Sequence, residues 1–197
     1  MDELKDFIED APARQGSRLP GQARRATRAV NLLRMYRRDA DARKLSATWL
    51  PRILIAGDTS TRLRGNAVAL LAALGRWKEM QPITERLLLT ASDSGSRNHW
   101  LSILGVIAAQ TGDRARAMQI ENQLESGRGE FDYGFVDLLR ARIAANLGEA
   151  DRAVSLAQRA QAAGLGLQSP GSPLNYDWAL LPLRDYKPFR DLIKPVD

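Results

Sequence analysis

Thr111-Gly112-Asp113-Arg114 and, 36 positions later, Leu147-Gly148-Glu149-Ala150 are the stretches that decide how this chain folds. In each, a glycine followed by an acid separates two segments with helical periodicity. Gly112 closes the first helix of its pair and Asp113 caps the next. Related turns stand upstream at Leu74-Gly75-Arg76-Trp77 and at Arg38-Asp39-Ala40-Asp41; counted on Asp39, Gly75, Gly112 and Gly148, the steps are 36, 37 and 36 residues. A fixed period between about twenty and fifty residues marks a stacked-repeat protein, whose units cannot bury their apolar faces alone. Such a chain is expected to be a binding scaffold rather than an enzyme.

Outward from these turns the whole chain reads as helical hairpins. From Gln22 to Arg38, Ala26, Ala29, Val30, Leu33 and Tyr36 share one face and Arg24, Arg28, Arg34 and Arg38 the opposite one. The second helix of this hairpin covers 40–56, with Pro51 expected to kink or interrupt it. Gly57-Asp58-Thr59-Ser60-Thr61 forms a loop that ends in a helix cap. The next hairpin pairs 62–74 with 76–90 and carries Pro82, expected to bend its second helix. Ser92 to Ser96 is a linker with Ser96 as the expected cap. The third hairpin pairs Asn98–Gln110 with a helix capped by Asp113 and running to Leu124; the fourth pairs Phe131–Leu147 with Glu149–Ala163. No strand pattern of useful length occurs, so the expected fold class is all-α. The organisation is an arm at 1–21, a repeat array at 22–163 (hairpins 22–56, 62–91, 98–125 and 131–163) and a segment at 164–197.

Composition narrows the function classes. The chain has 197 residues, no cysteine and a formal net charge of +6. Disulfides and thiolate metal sites are therefore excluded. No apolar run reaches the ~18 residues of a membrane span, and the acidic start Met1-Asp2-Glu3-Leu4-Lys5-Asp6 is unlike a signal peptide, so the expected location is cytoplasmic. The charge is uneven: residues 1–13 carry −4, residues 14–44 carry +8 and residues 45–197 only +2. Any attraction for polyanions thus belongs to one segment.

Aligned on their turns, the units resemble tetratricopeptide repeats. Gly112-Asp113 and Gly148-Glu149 match that motif's turn. Gly105 and Ala141 stand seven residues before it and Ala117 and Ala153 five after it, where the helices cross closely; Ala160 matches a further small position, replaced by Leu124 in the preceding unit. The likeness is good for 98–163, fair for 62–91 and weak for 22–56, where Asp39 replaces the glycine. The motif's closing proline is missing, and the period exceeds the common unit of about 34 residues. Leu183, Arg184, Asp185, Pro188, Phe189 and Leu192 resemble a terminal signature of tetratricopeptide arrays in bacterial signalling proteins, where such arrays follow a kinase, a cyclase or a winged-helix regulator. The resemblance implies a right-handed superhelical solenoid of about four hairpins with a capping segment, and a protein–protein interaction role in signalling.

Carried across by register, the family's groove positions fall on Tyr36, Arg37, Arg62, His99, Ser102, Gln110, Arg142 and Asn146. They imply a partly apolar, mildly basic groove for a protein segment with acidic residues, or one filled by the chain's own arm or tail. The lysine and asparagine pairs that clamp a peptide's terminal carboxylate in chaperone-binding members are not reproduced. Catalysis has little to work with: His99 is the only histidine, and Glu121, Glu125, Glu130 and Asp132 read as solvated acids. No cofactor or metal is expected. The basic patch Arg24, Arg28, Arg34 and Arg38 is a solvated face, a dock for the acidic residues 2–10, or a nucleic-acid contact lacking aromatic platforms. An accessory subunit of an enzyme is a further alternative.

Overall fold

A computed structural model describes residues 18–56, 60–130, 132–165 and 173–194. Among them every regular element is helical: α1 (Arg18–Met35), α2 (Asp39–Ala56), α3 (Thr61–Leu74), α4 (Trp77–Leu89), α5 (Ser94–Gln110), α6 (Arg114–Ser126), α7 (Phe135–Asn146), α8 (Ala150–Ala162), α9 (Pro173–Tyr176), a 3-10 helix (Trp178–Leu183) and α10 (Lys187–Leu192). The expectations for residues 1–17, for Gly57-Asp58-Thr59, for Phe131 and for residues 166–172 and 195–197 lie outside the described residues. The chain divides into two compact units, Met1–Leu87 and Leu88–Asp197.

In the first unit α1 packs against α2 and α3, and α2 against α3. Its core is built from Ala23, Ala26, Val30 and Leu33 of α1, Leu50 and Ile53 of α2 and Leu70 and Leu71 of α3. α1 begins earlier than Gln22 because Pro20 and Gly21 lie in its first turn, where proline forfeits no intrahelical bond. Neither Pro51 nor Pro82 ends its helix. The carbonyls they orphan belong to Ala47 and Lys78, both exposed and open to water. α2, α3 and α4 share a cavity of about 290 Å³ lined by Ile53, Leu54, Arg64, Ala67, Pro82, Ile83 and Arg86.

In the second unit α5 packs against α6 and α7, and α7 against α6, α8 and the 3-10 helix, while α10 rests on α8. The crossing positions Ala117, Ala141, Ala153 and Ala160 are fully buried, as is Leu124. α5 starts at Ser94 rather than Asn98, since its cap is Asp93 and not Ser96: the Asp93 carboxylate accepts from the Ser96 amide at 2.7 Å and the Ser96 hydroxyl at 2.8 Å. Asp113 caps α6 as expected, accepting from the Arg116 amide at 2.9 Å. α7 is preceded by Gly134 at φ 81°, where a Cβ would lie 2.3 Å from the Ala160 carbonyl oxygen; only glycine admits both the conformation and the close backbone. Leu174, Leu180, Leu183 and Phe189 join Leu138, Ala141, Val154 and Ala157 in one core, so the C-terminal segment covers α7 and α8.

The turns share one hydrogen-bond pattern and thereby correct the register of the first hairpin. An amide bonds back five residues from Arg76 to Leu71, from Asp113 to Ala108 and from Glu149 to Ala144, at 2.8–3.0 Å, with Gly75, Gly112 and Gly148 at positive φ. The same bond joins Arg38 to Leu33 at 2.8 Å, with Arg37 at φ 61°. The equivalent of the turn glycine is thus Arg37 and not Asp39, and the steps become 38, 37 and 36. Asp39 is already the first residue of α2.

Candidate functional site

The register shift moves two expected groove residues. Tyr36 and Arg37 lie in the α1–α2 turn, beyond the end of α1, and Tyr36 is 71% exposed instead of sharing the apolar face. Arg62 is exposed in the first turn of α3. Of the small or apolar residues that lie between these positions by register, Ala69, Ala72, Val106 and Leu138 are buried in the helix packing and Ala109 is half-buried.

In the second unit the structure gathers the remaining groove residues. His99 and Ser102 on α5 face Arg142 on α7: Arg142 Nη1 lies 3.2 Å from His99 Nδ1 and donates to Ser102 Oγ at 3.4 Å. Gln110 donates to Asn146 Oδ1 at 2.8 Å. The chain's own C-terminal segment occupies the next positions. Arg142 Nε donates to Asp177 Oδ2 at 2.6 Å, and Asn146 Nδ2 to the Ala179 carbonyl at 2.8 Å. Arg142 and Asn146 are thus engaged by the chain's own C-terminal segment. Its four buried apolar side chains, at roughly 2 kcal/mol each, outweigh the ion pair as an anchor. The segment therefore covers α7 and α8, and the Arg142–Asp177 pair that joins it to α7 is only 11% and 6% exposed. Burial, then the adjacent Arg142 guanidinium, push His99 down to about 4 against the opposing pull of Asp177, so His99 is neutral near pH 7.

Acids that looked solvated are partly structural. Glu121 is 2% exposed and receives Arg140 Nε at 3.2 Å together with Arg152. Asp137, which sequence reading passed over, is buried and takes Arg128 and Arg159, each at 3.0 Å. Arg140 also reaches Glu125 at 2.5 Å, and Arg152 reaches Glu149, tying α6, α7 and α8 together. The arginine-rich sequence of α7 and α8 was the available signal, since a buried acid needs such partners.

A second arginine-lined surface lies in the first unit. A cavity of about 1040 Å³ has as its described wall one side of α1 and the turn after it: Gly21, Arg24, Arg25, Arg28, Ala29, Leu32, Leu33, Tyr36 and Arg38. Three of the four expected patch arginines are here, joined by Arg25. Arg34 is not, because it projects from a different side of the helix from Arg24 and Arg28. Arg38 is held at 2.7 Å by Asp41, whereas Arg24 and Arg28 are exposed on the helix surface. The wall therefore combines four guanidinium groups with the half-buried Leu32 and the exposed ring of Tyr36, over the buried Ala29 and Leu33. This arrangement suits a ligand with both negative charge and apolar side chains.

Among the described residues no helix is long and apolar enough to cross a membrane, and no three acidic or histidine side chains are placed to hold a metal ion. No protein-family model matches the chain, and no match was found among curated proteins or solved structures.

Proposed function

We propose that this chain is a non-catalytic protein–protein interaction scaffold of the tetratricopeptide type, working in bacterial signalling or regulation, and that its ligand is an acidic protein segment. Four features support the type: hairpins closed by one repeated turn, first helices packed on first helices (α1 on α3, α5 on α7), small buried residues at the crossings, and a covering C-terminal segment. Within each unit we take the hairpins to stack in that family's right-handed superhelical manner.

The wall of α1 carries the reading of the ligand. The groove positions of the second unit are engaged by Asp177 and Ala179, which leaves the arginines and Leu32 of α1 as the distinctive recognition surface. Nucleic acid is a second reading, favoured by the exposure of Tyr36 beside the arginines, which supplies one stacking face. A phosphate backbone makes no use of the half-buried Leu32, so protein is preferred.

The test is a random-peptide display selection on the intact chain. Enriched peptides are titrated by fluorescence anisotropy beside a 20-nucleotide single strand. Acidic peptides with apolar residues at helical spacing should be enriched and should weaken at least about tenfold with Arg24→Gln/Arg28→Gln, the loss of two charge-assisted contacts. Enriched peptides without acidic residues, or indifferent to those changes, refute the protein reading. A strand that binds more tightly than every peptide transfers the surface to nucleic acid.

A further inference from the structure

Chemistry complementary to the α1 wall is written in the same chain. Residues 2–10, Asp-Glu-Leu-Lys-Asp-Phe-Ile-Glu-Asp, hold five acids and one lysine, with Leu4, Phe7 and Ile8 at the i, i+3, i+4 spacing of an apolar stripe. The wall presents the converse, Arg24, Arg25 and Arg28 beside Leu32 and Tyr36. Chain length permits the contact. Seven residues, 11–17, separate this segment from Arg18 and span up to about 24 Å when extended. The wall from Gly21 to Tyr36 is about 23 Å long at the helical rise.

We infer that residues 2–10 are an intramolecular ligand of the α1 wall, which an outside acidic segment must displace. This rests on the reading of the wall as an acidic-segment site, but its decisive test requires no outside ligand. A short tether gives an effective concentration on the order of millimolar. If the segment alone binds with a Kd of about 0.1 mM, it depresses outside binding by about tenfold at physiological salt, and less as salt rises.

Because the full chain has no cysteine, disulfide trapping is unambiguous. Phe7→Cys is combined in turn with Arg25→Cys, Arg28→Cys and Leu32→Cys, with Phe7→Cys/Leu54→Cys as the off-wall control. Mild oxidation at low salt should link at least one wall pair within a monomer, leave the control unlinked, and do so less completely in 1 M salt. Linkage equal to the control overturns the inference, and so does linkage found only between copies. A second measurement uses charge. Asp6→Lys/Glu9→Lys should raise the affinity of the intact chain for a peptide enriched in the display selection by about tenfold. The same two changes combined with Arg24→Glu/Arg28→Glu should restore wall trapping, and a failure to restore it counts against the charge pairing. If trapping succeeds but no peptide binds, the self-contact stands and the proposed outside ligand is wrong.

Discussion

Gly105→Ala tests whether the hairpin crossing of the second unit is as close as the packing requires. A Cβ at this position would lie 2.5 Å from Ile143 Cδ1, 2.9 Å from Ile143 Cγ1 and 3.2 Å from Ile120 Cγ2. Ile143 and Ile120 are 0% and 1% exposed, so neither has open space to enter. Two effects compete. Alanine is the better helix former by about 1 kcal/mol. Overpacking a filled core costs about 1–3 kcal/mol, and the approach to Cγ1, which is not a free chain end, places this case at about 2–3 kcal/mol. The net expectation is a loss of about 1–2 kcal/mol. Ile143→Val removes Cδ1 and costs about 1 kcal/mol by itself. In the Gly105→Ala background it relieves the shortest contact, so it should be neutral or restoring, a favourable coupling of about 1–2 kcal/mol. Urea unfolding of the four proteins, with hydrogen exchange on the α5 and α7 amides to localise the change, measures each corner of the cycle. Should Gly105→Ala stabilise the chain by its propensity gain and add independently to Ile143→Val, the close crossing of α5 and α7 is refuted.

Gly134→Ala should be more severe, about 3 kcal/mol or more, because left-handed strain adds to a 2.3 Å approach to the Ala160 carbonyl that no side-chain rotation relieves; the loss of the thermal transition of the second unit measures it. Arg37→Gly should stabilise by roughly 0.5–1 kcal/mol, since relief of φ 61° exceeds the entropy glycine adds to the unfolded chain, and a lower melting temperature would contradict the corrected turn register. Glu121→Ala should cost about 2 kcal/mol in urea unfolding, less than a fully orphaned pair, because Arg140 and Arg152 retain Glu125 and Glu149; removing Glu79 from its exposed pair with Arg76 should leave stability unchanged within error. His99 is held at about 4 in the fold against about 6.5 unfolded, so the unfolded chain binds the extra proton first and stability should fall as pH drops from about 6.5 toward 4. His99→Asn should flatten that part of the profile in denaturant titrations, and an identical slope would show that His99 is not buried neutral.

Much of the helical framework was legible because its determinants are local. Gly112-Asp113 and Gly148-Glu149 end and restart helices through the left-handed glycine backbone, with a side-chain cap at Asp113 but none at Glu149, and both effects act within a few residues. Gly105, Ala117, Ala141 and Ala153 read as crossing residues because only small side chains let helices approach. The first turn misled for an equally physical reason. Arg37 takes the left-handed conformation under the pull of the Arg38–Leu33 bond and the packing of α1 on α2, which no residue preference announces. Pro51 was expected to kink or interrupt α2 and Pro82 to bend α4; both helices run on past them, on exposed faces where water satisfies the freed carbonyls.

The candidate surfaces divide along the same line. The excess of arginine in residues 14–44 and of acid in 1–13 is written in the sequence, and so is the capacity of the tail to cover an apolar face. Which arginines share a wall was not, since it depends on the side of α1 left uncovered by α2 and α3. Arg142 and Asn146 looked like ligand-facing residues until Asp177 and Ala179, 35 and 33 positions downstream, were found seated on them. By itself the sequence determined most of the helices, the three glycine turns and the placement of charge, because those follow from interactions between near neighbours along the chain. Only the tertiary structure decided which faces remain open, because burial is set by whatever distant segment packs there with enough apolar area to stay.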